Sequence, residues 1–96
     1  MAVLHRARLV GATFAGAEML GANLNKADLK RALFANAKLA GAMLYEADLS
    51  AADLTGADLS GADLSDSRLT GAILTNAKLE GAKLSGALMP DGTTHD

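Results

Sequence analysis

Carboxylates are the side chains of this sequence best equipped for chemistry. Asp48, Asp53, Asp58 and Asp63 follow one another at intervals of five, and Asp28 stands twenty residues before Asp48. Two carboxylates that converge can share a proton, divide the work of general acid and base, or hold a cation. His5 and His95 lie near opposite ends of the chain, and neither sits in a pattern that supplies a nucleophile for it to activate. Cysteine is absent, and no group of His, Asp and Glu has metal-ligand spacing. The glycines do not form the strand-to-helix loop that cradles a phosphate. Whether the acidic residues converge therefore depends on the elements that carry them.

Those elements follow from one repeat. A large apolar residue recurs at every fifth position from Leu4 through Phe14, Leu24, Phe34 and Leu54 to Met89, eighteen times without insertion or deletion. Two residues before each stands alanine, from Ala2 to Ala87, with Ser67 the sole exception. The residue between them is variable and mostly polar. The two that follow are rich in Ser/Thr and then in Gly, and nine of the ten glycines close a repeat.

An α-helix turns about 100° per residue, so a step of five would spread the leucines around the cylinder and define no face. A flat strand alternates with period two, and a step of five would throw successive leucines to opposite faces. One backbone remains. Ala-x-Leu forms a short extended segment with its first and last side chains inward, and the next two residues turn a corner. A lag of twenty gives the number of sides: Phe14 and Phe34 share it, Gly21, Gly41, Gly61 and Gly81 form a pure series, and Glu18, Lys38, Asp58 and Lys78 alternate in charge. Four repeats then make one square coil. Eighteen repeats give about four and a half coils in a tube roughly 22 Å long, at a coil spacing of ~4.8 Å.

Ala57-Asp58-Leu59-Ser60-Gly61 and Ala62-Asp63-Leu64-Ser65 resemble the A-(D/N)-L-x-x consensus of the pentapeptide-repeat family. The resemblance covers residues 2–91 and implies an all-β fold, a right-handed quadrilateral parallel β-helix. The ending Leu88-Met89-Pro90-Asp91-Gly92-Thr93 is similar to cyanobacterial members. The domain reading is a β-helix over 1–91 with a tail at 92–96.

In a square coil Asp48, Asp53, Asp58 and Asp63 leave from four successive walls and cannot converge. Asp28 and Asp48 do stack, about 5 Å apart, with Arg8 below and Arg68 above. That ladder could hold a proton or a cation, or it could be a solvated column whose arginines offset the repulsion. The Glu18–Lys38–Asp58–Lys78 column is expected to fix coil register. Ser67 points inward and is expected to bond nearby backbone. Type II corners want Gly or Asn third, which suits Gly21, Gly41, Gly61 and Gly81 and also Gly16, Asn36, Gly56 and Asn76. Arg6, Lys26, Glu46 and Asp66 do not suit it, so type I-like corners are expected there.

The formal net charge is −2, with both signs mixed along the chain, which argues against a nucleic-acid binder. The first eight residues lack the apolar run of a signal peptide, and no stretch approaches the ~20 apolar residues of a membrane span. These features give the expectation of a cytoplasmic protein with no cofactor, no nucleic-acid partner and no membrane contact. A packed convex tube has no pocket, so an enzyme is not expected.

Two surfaces remain as candidates for a protein partner. One wall carries Thr13, Leu33, Asp53 and Ile73 outward, with little charge beside them. The N-terminal coil, with Leu4, Leu9, Phe14 and Met19, is expected to be an open end through which two copies associate as a homodimer, while Pro90 and the tail close the other end. The resemblance also implies an alternative, since the family includes DNA mimics that bind DNA gyrase, a topoisomerase. Duplex DNA carries about one charge per 1.7 Å, so a mimic of this length would show roughly a dozen excess charges.

Overall fold

The computed structural model describes residues 3–96, and in it the chain climbs as a square coil whose equivalent residues stack at a separation of twenty. Four walls result. One carries Val3, Asn23, Met43, Asp63 and Lys83 in parallel register, and the next carries Arg8, Asp28, Asp48, Arg68 and Leu88. The third carries Thr13, Leu33, Asp53 and Ile73, and the fourth Glu18, Lys38, Asp58 and Lys78. Each wall is only three residues long, because the corners leave room for no more.

The backbone satisfies itself between coils, as a closed solenoid must. The Leu24 N–H donates to the Met43 carbonyl at 2.7 Å, the Lys26 N–H to the Tyr45 carbonyl at 2.8 Å, and the Met43 N–H returns to the Ala22 carbonyl at 2.8 Å. The same three bonds recur repeat after repeat. A fourth closes each corner, as when the Ala27 N–H donates to the Leu24 carbonyl at 3.1 Å.

The corners from Arg6 to Gly86 share one geometry, contrary to the expectation for the Arg6 column, while at the last corner, Pro90-Asp91, the third residue is not left-handed. Arg6, Lys26, Glu46 and Asp66 have φ of 60°, 62°, 56° and 57°, as left-handed as Gly21 at 66° or Gly61 at 67°. The residue before each is not left-handed, so these are type II-like corners throughout. The cause is the ladder. A corner amide such as that of Lys26 must reach the carbonyl of the coil above, and that bond recurs whichever residue supplies it.

The interior is filled by two sizes of side chain. Leu24, Leu29, Phe34 and Leu39 of the second coil are wholly buried, and so are Leu44, Leu49, Leu54 and Leu59 of the third. Ala32, Ala42 and Ala52 are equally buried at the corners, where a larger group would not fit. Full burial of a leucine contributes roughly 1.5–3 kcal/mol, and each coil repeats the gain. Phe14 and Phe34 stack at 5.0 Å between ring centroids with planes 12° apart.

Ser67 departs from expectation. It is buried where every neighbouring coil has alanine, yet its Oγ has no hydrogen-bond partner among the described residues. The ladder already takes its own amide, which donates to Leu64, and its carbonyl, which accepts from Leu88.

At the C-terminal end the chain turns back at Gly92, φ 87°, and lays Thr94 antiparallel to Leu88. The Met89 N–H donates to the Thr93 carbonyl at 2.7 Å, and His95 exchanges bonds with Gly86 and Ala87 at 2.8 Å each. The tail therefore seals the edge of one wall, and Ala87 is fully buried as a result. Leu74, Leu79 and Leu84 around the rest of that rim are only half-buried.

Candidate functional site

The acidic residues work on the corners that follow them. In Asp53-Leu54-Thr55 the carboxylate accepts the Thr55 amide at 3.0 Å and the Thr55 hydroxyl at 2.6 Å. Asp48 receives Ser50 in the same way, at 3.0 and 2.6 Å, and Asp91 receives Thr93. Asp58 and Asp63 accept the amides of Ser60 and Ser65 at 3.0 Å. These are Asx-type turns, in which a short acidic side chain fixes the backbone two residues ahead. The hydroxyl and then the amide two residues on hold the carboxyls of Asp53, Asp58, Asp63 and Asp91 below the usual carboxylate range. A carboxylate so occupied is a structural pin.

Asp48, Asp53, Asp58 and Asp63 do leave from four different walls, while Asp28 and Asp48 stack. Arg8 and Arg68 flank the stacked pair in the column as expected, but the cation within ion-pair distance of it is Lys30. Its Nζ lies 3.5 Å from Asp28 Oδ2 and 3.9 Å from Asp48 Oδ2. Lys30 stands at the corner after Asp28, so its long stem reaches both coils. In the fourth wall Lys38 lies 3.6 Å from Glu18, with both side chains well exposed. Among the described residues no group of His, Asp and Glu is placed to hold a metal ion.

Thr13, Leu33, Asp53 and Ile73 form one continuous column on the third wall. Leu33 is 43% exposed and Ile73 47%. Asp53 between them turns its charge into the Thr55 corner, so the wall offers two aliphatic side chains and small neighbours. At the N-terminal end Leu4, Leu9 and Phe14 are half-buried, but Met19 is buried. The coil has climbed most of one turn by Met19, so the three earlier residues lie below it. Val3, Val10 and Leu20 are exposed around the same rim, outside the residues singled out from the sequence. Val10 and Leu20 stand where later repeats carry Ser or Thr, a signal legible in the sequence.

The pentapeptide-repeat family model matches residues 2–36, 32–71 and 52–89. The chain belongs to the pentapeptide-repeat family. Among solved pentapeptide-repeat structures, it is 31% identical to Rfr23 from the cyanobacterium Cyanothece 51142, over 94% of this chain and 58% of that one, with a TM-score of 0.80. It is 34% identical to AT2G44920 from the Arabidopsis thaliana thylakoid lumen, over 92% of this chain and 68% of that one, at a TM-score of 0.60. It is 42% identical to alr5209 from Nostoc PCC 7120, over 88% and 66% of the two chains, at a TM-score of 0.55. The chain thus spans 58% of the length of Rfr23. No curated protein matches it. The fold shared with these relatives is the right-handed quadrilateral β-helix.

Proposed function

We propose that this pentapeptide-repeat chain is a non-enzymatic structural or protein-interaction module that offers its Thr13–Leu33–Asp53–Ile73 wall to a protein partner. The observation that carries the reading is the pair of half-exposed aliphatics, Leu33 and Ile73, on a flat wall whose one carboxylate is already engaged. A partner that docks there leaves the Asp53 Oδ1 bonds to Thr55 in place and sets a polar group against the other carboxylate oxygen. The test is affinity capture from the native host with the parent chain and with Leu33→Lys/Ile73→Lys. Both positions point outward, so the double variant is expected to keep its melting temperature and lose the partner. A partner retained by a folded double variant would refute the wall as the docking face.

The half-buried Leu4, Leu9 and Phe14, ringed by Val3, Val10 and Leu20, support a second contact in which two copies of this chain meet end to end. Sedimentation at increasing concentration is expected to show a dimer, and a monomer throughout would refute it. The gyrase-directed reading, mimicry of DNA, has only the net charge of −2 to draw on. A gyrase supercoiling assay is expected to show no effect of added chain.

A further inference from the structure

One corner of the tube gathers cationic and hydrogen-bond-donating groups. Between the first and second coils, where the Val3 wall turns into the Arg8 wall, a cleft of about 230 Å³ is lined by His5, Arg6, Asn23, Asn25 and Lys26. Arg6 and Lys26 stack at a separation of twenty in the left-handed corner, and both are exposed. The two asparagines are held in known orientations. Asn23 Oδ1 accepts the Asn25 amide at 3.1 Å, and Asn25 Oδ1 accepts the Tyr45 amide at 2.8 Å. Each carboxamide oxygen is thereby spent on backbone, which leaves each NH₂ free to donate. The cleft lining holds a guanidinium, an ammonium, an imidazole and two amide NH₂ groups, and no carboxylate. Lys26 Nζ lies 3.6 Å from Oε1 of Glu46, one coil above.

We infer that this cleft binds a phosphoryl group, free or as the terminal phosphate of a small monoester. The chemistry is specific on two counts. A tetrahedral anion with several acceptor oxygens can use convergent donors from two stacked coils at once, and Arg6 presents the planar fork that suits it. The volume is below the ~300–1,000 Å³ of pockets that engulf a drug-sized ligand, so the cleft takes the anionic head and leaves any remainder in solvent. The column itself changes sign upward, from Arg6 and Lys26 to Glu46 and Asp66, which confines the anion to the lower two coils. The inference is independent of the proposed docking wall, which lies on the opposite side of the tube.

The experiment is a ¹⁵N-resolved NMR titration of the full chain at neutral pH and constant ionic strength. Its arms are inorganic phosphate, glycerol phosphate and chloride. Both phosphates are expected to produce saturable shifts at Arg6, Asn23, Asn25 and Lys26, including the asparagine NH₂ signals, with a dissociation constant on the order of 1 mM. A tighter monoester identifies a phosphorylated small molecule as the ligand, and a tighter inorganic phosphate identifies the free ion. Arg6→Gln is expected to weaken binding by about tenfold, while Lys83→Gln, higher on the same wall, leaves it unchanged. Glu46→Gln is expected to tighten it about threefold, because Lys26 loses its competing partner. Unsaturated shifts spread over all basic residues, or chloride acting as well as phosphate, would overturn the inference. So would equal effects of Arg6→Gln and Lys83→Gln in folded proteins.

Discussion

At the scale of single residues the repeat tolerates little and explains its exceptions. The buried hydroxyl of Ser67 lacks a partner among the described residues, and leaving such a group unpaired costs about 1–3 kcal/mol. Ser67→Ala restores the residue found at this position in every other repeat. It is expected to raise the melting temperature, and a fall would show that the hydroxyl is bonded in solution. Glycine divides into two kinds. At Gly61, φ 67°, an added Cβ meets nothing, and Ala51 already holds the same conformation at φ 59°. Gly61→Ala is therefore expected to cost only about 1 kcal/mol, the ordinary penalty of a left-handed alanine. At Gly56 a Cβ would collide with the Asn36 side chain, which leans across from the coil below. Gly56→Ala is expected to cost clearly more in urea unfolding, and Asn36→Gly in the same chain is expected to bring the loss back to the Gly61 level.

At the scale of the corner the aspartates give the fold its dependence on pH. The carboxyls of Asp53, Asp58, Asp63 and Asp91 sit below their unfolded value of 3.8, chiefly because a hydroxyl and an amide two residues on bond the charged form. A depressed folded pKa contributes stability above the unfolded pKa and loses it as pH falls through the folded one. Thermal melts are therefore expected to be insensitive to these groups from neutral pH down to about pH 5, then to drop below about pH 4. Asp53→Asn/Asp58→Asn/Asp63→Asn should flatten that drop, and an unchanged acid slope would remove the corners as its cause. This role was available from the sequence, because Asp48, Asp53, Asp58 and Asp63 each stand two before Ser or Thr. The walls, the inward leucines and the Phe14–Phe34 stack were legible because a strict period leaves one geometry. The corners of Arg6, Lys26, Glu46 and Asp66 were not, because residue preference pointed one way and the inter-coil ladder the other. Lys30 escaped for a related reason: a column of like positions shows which residues stack, but not how far a lysine stem reaches to the next coil.

At the scale of the whole molecule the two ends differ, and stability should differ along the axis. A solenoid holds each coil mainly by its neighbours, so loss at one end need not reach the middle. Residues 93–95 cover the last coil from above on the Leu88 side, through the bonds of Met89, Gly86 and Ala87 to Thr93 and His95. Deleting 92–96 strips these three bonds and opens the strand edge they cover, while the Leu54 amide keeps its bond to the Ile73 carbonyl at 2.8 Å. Native-state hydrogen exchange should then show the Gly86 and Met89 amides losing protection and the Leu54 amide keeping it. A uniform loss of protection through Leu54 would mean that the tube unfolds as one unit, and that the tail contributes to global stability. Confinement to the last coil would mean that the tail acts locally, and that Leu74, Leu79 and Leu84, half-buried beside it, are held by the coil beneath them.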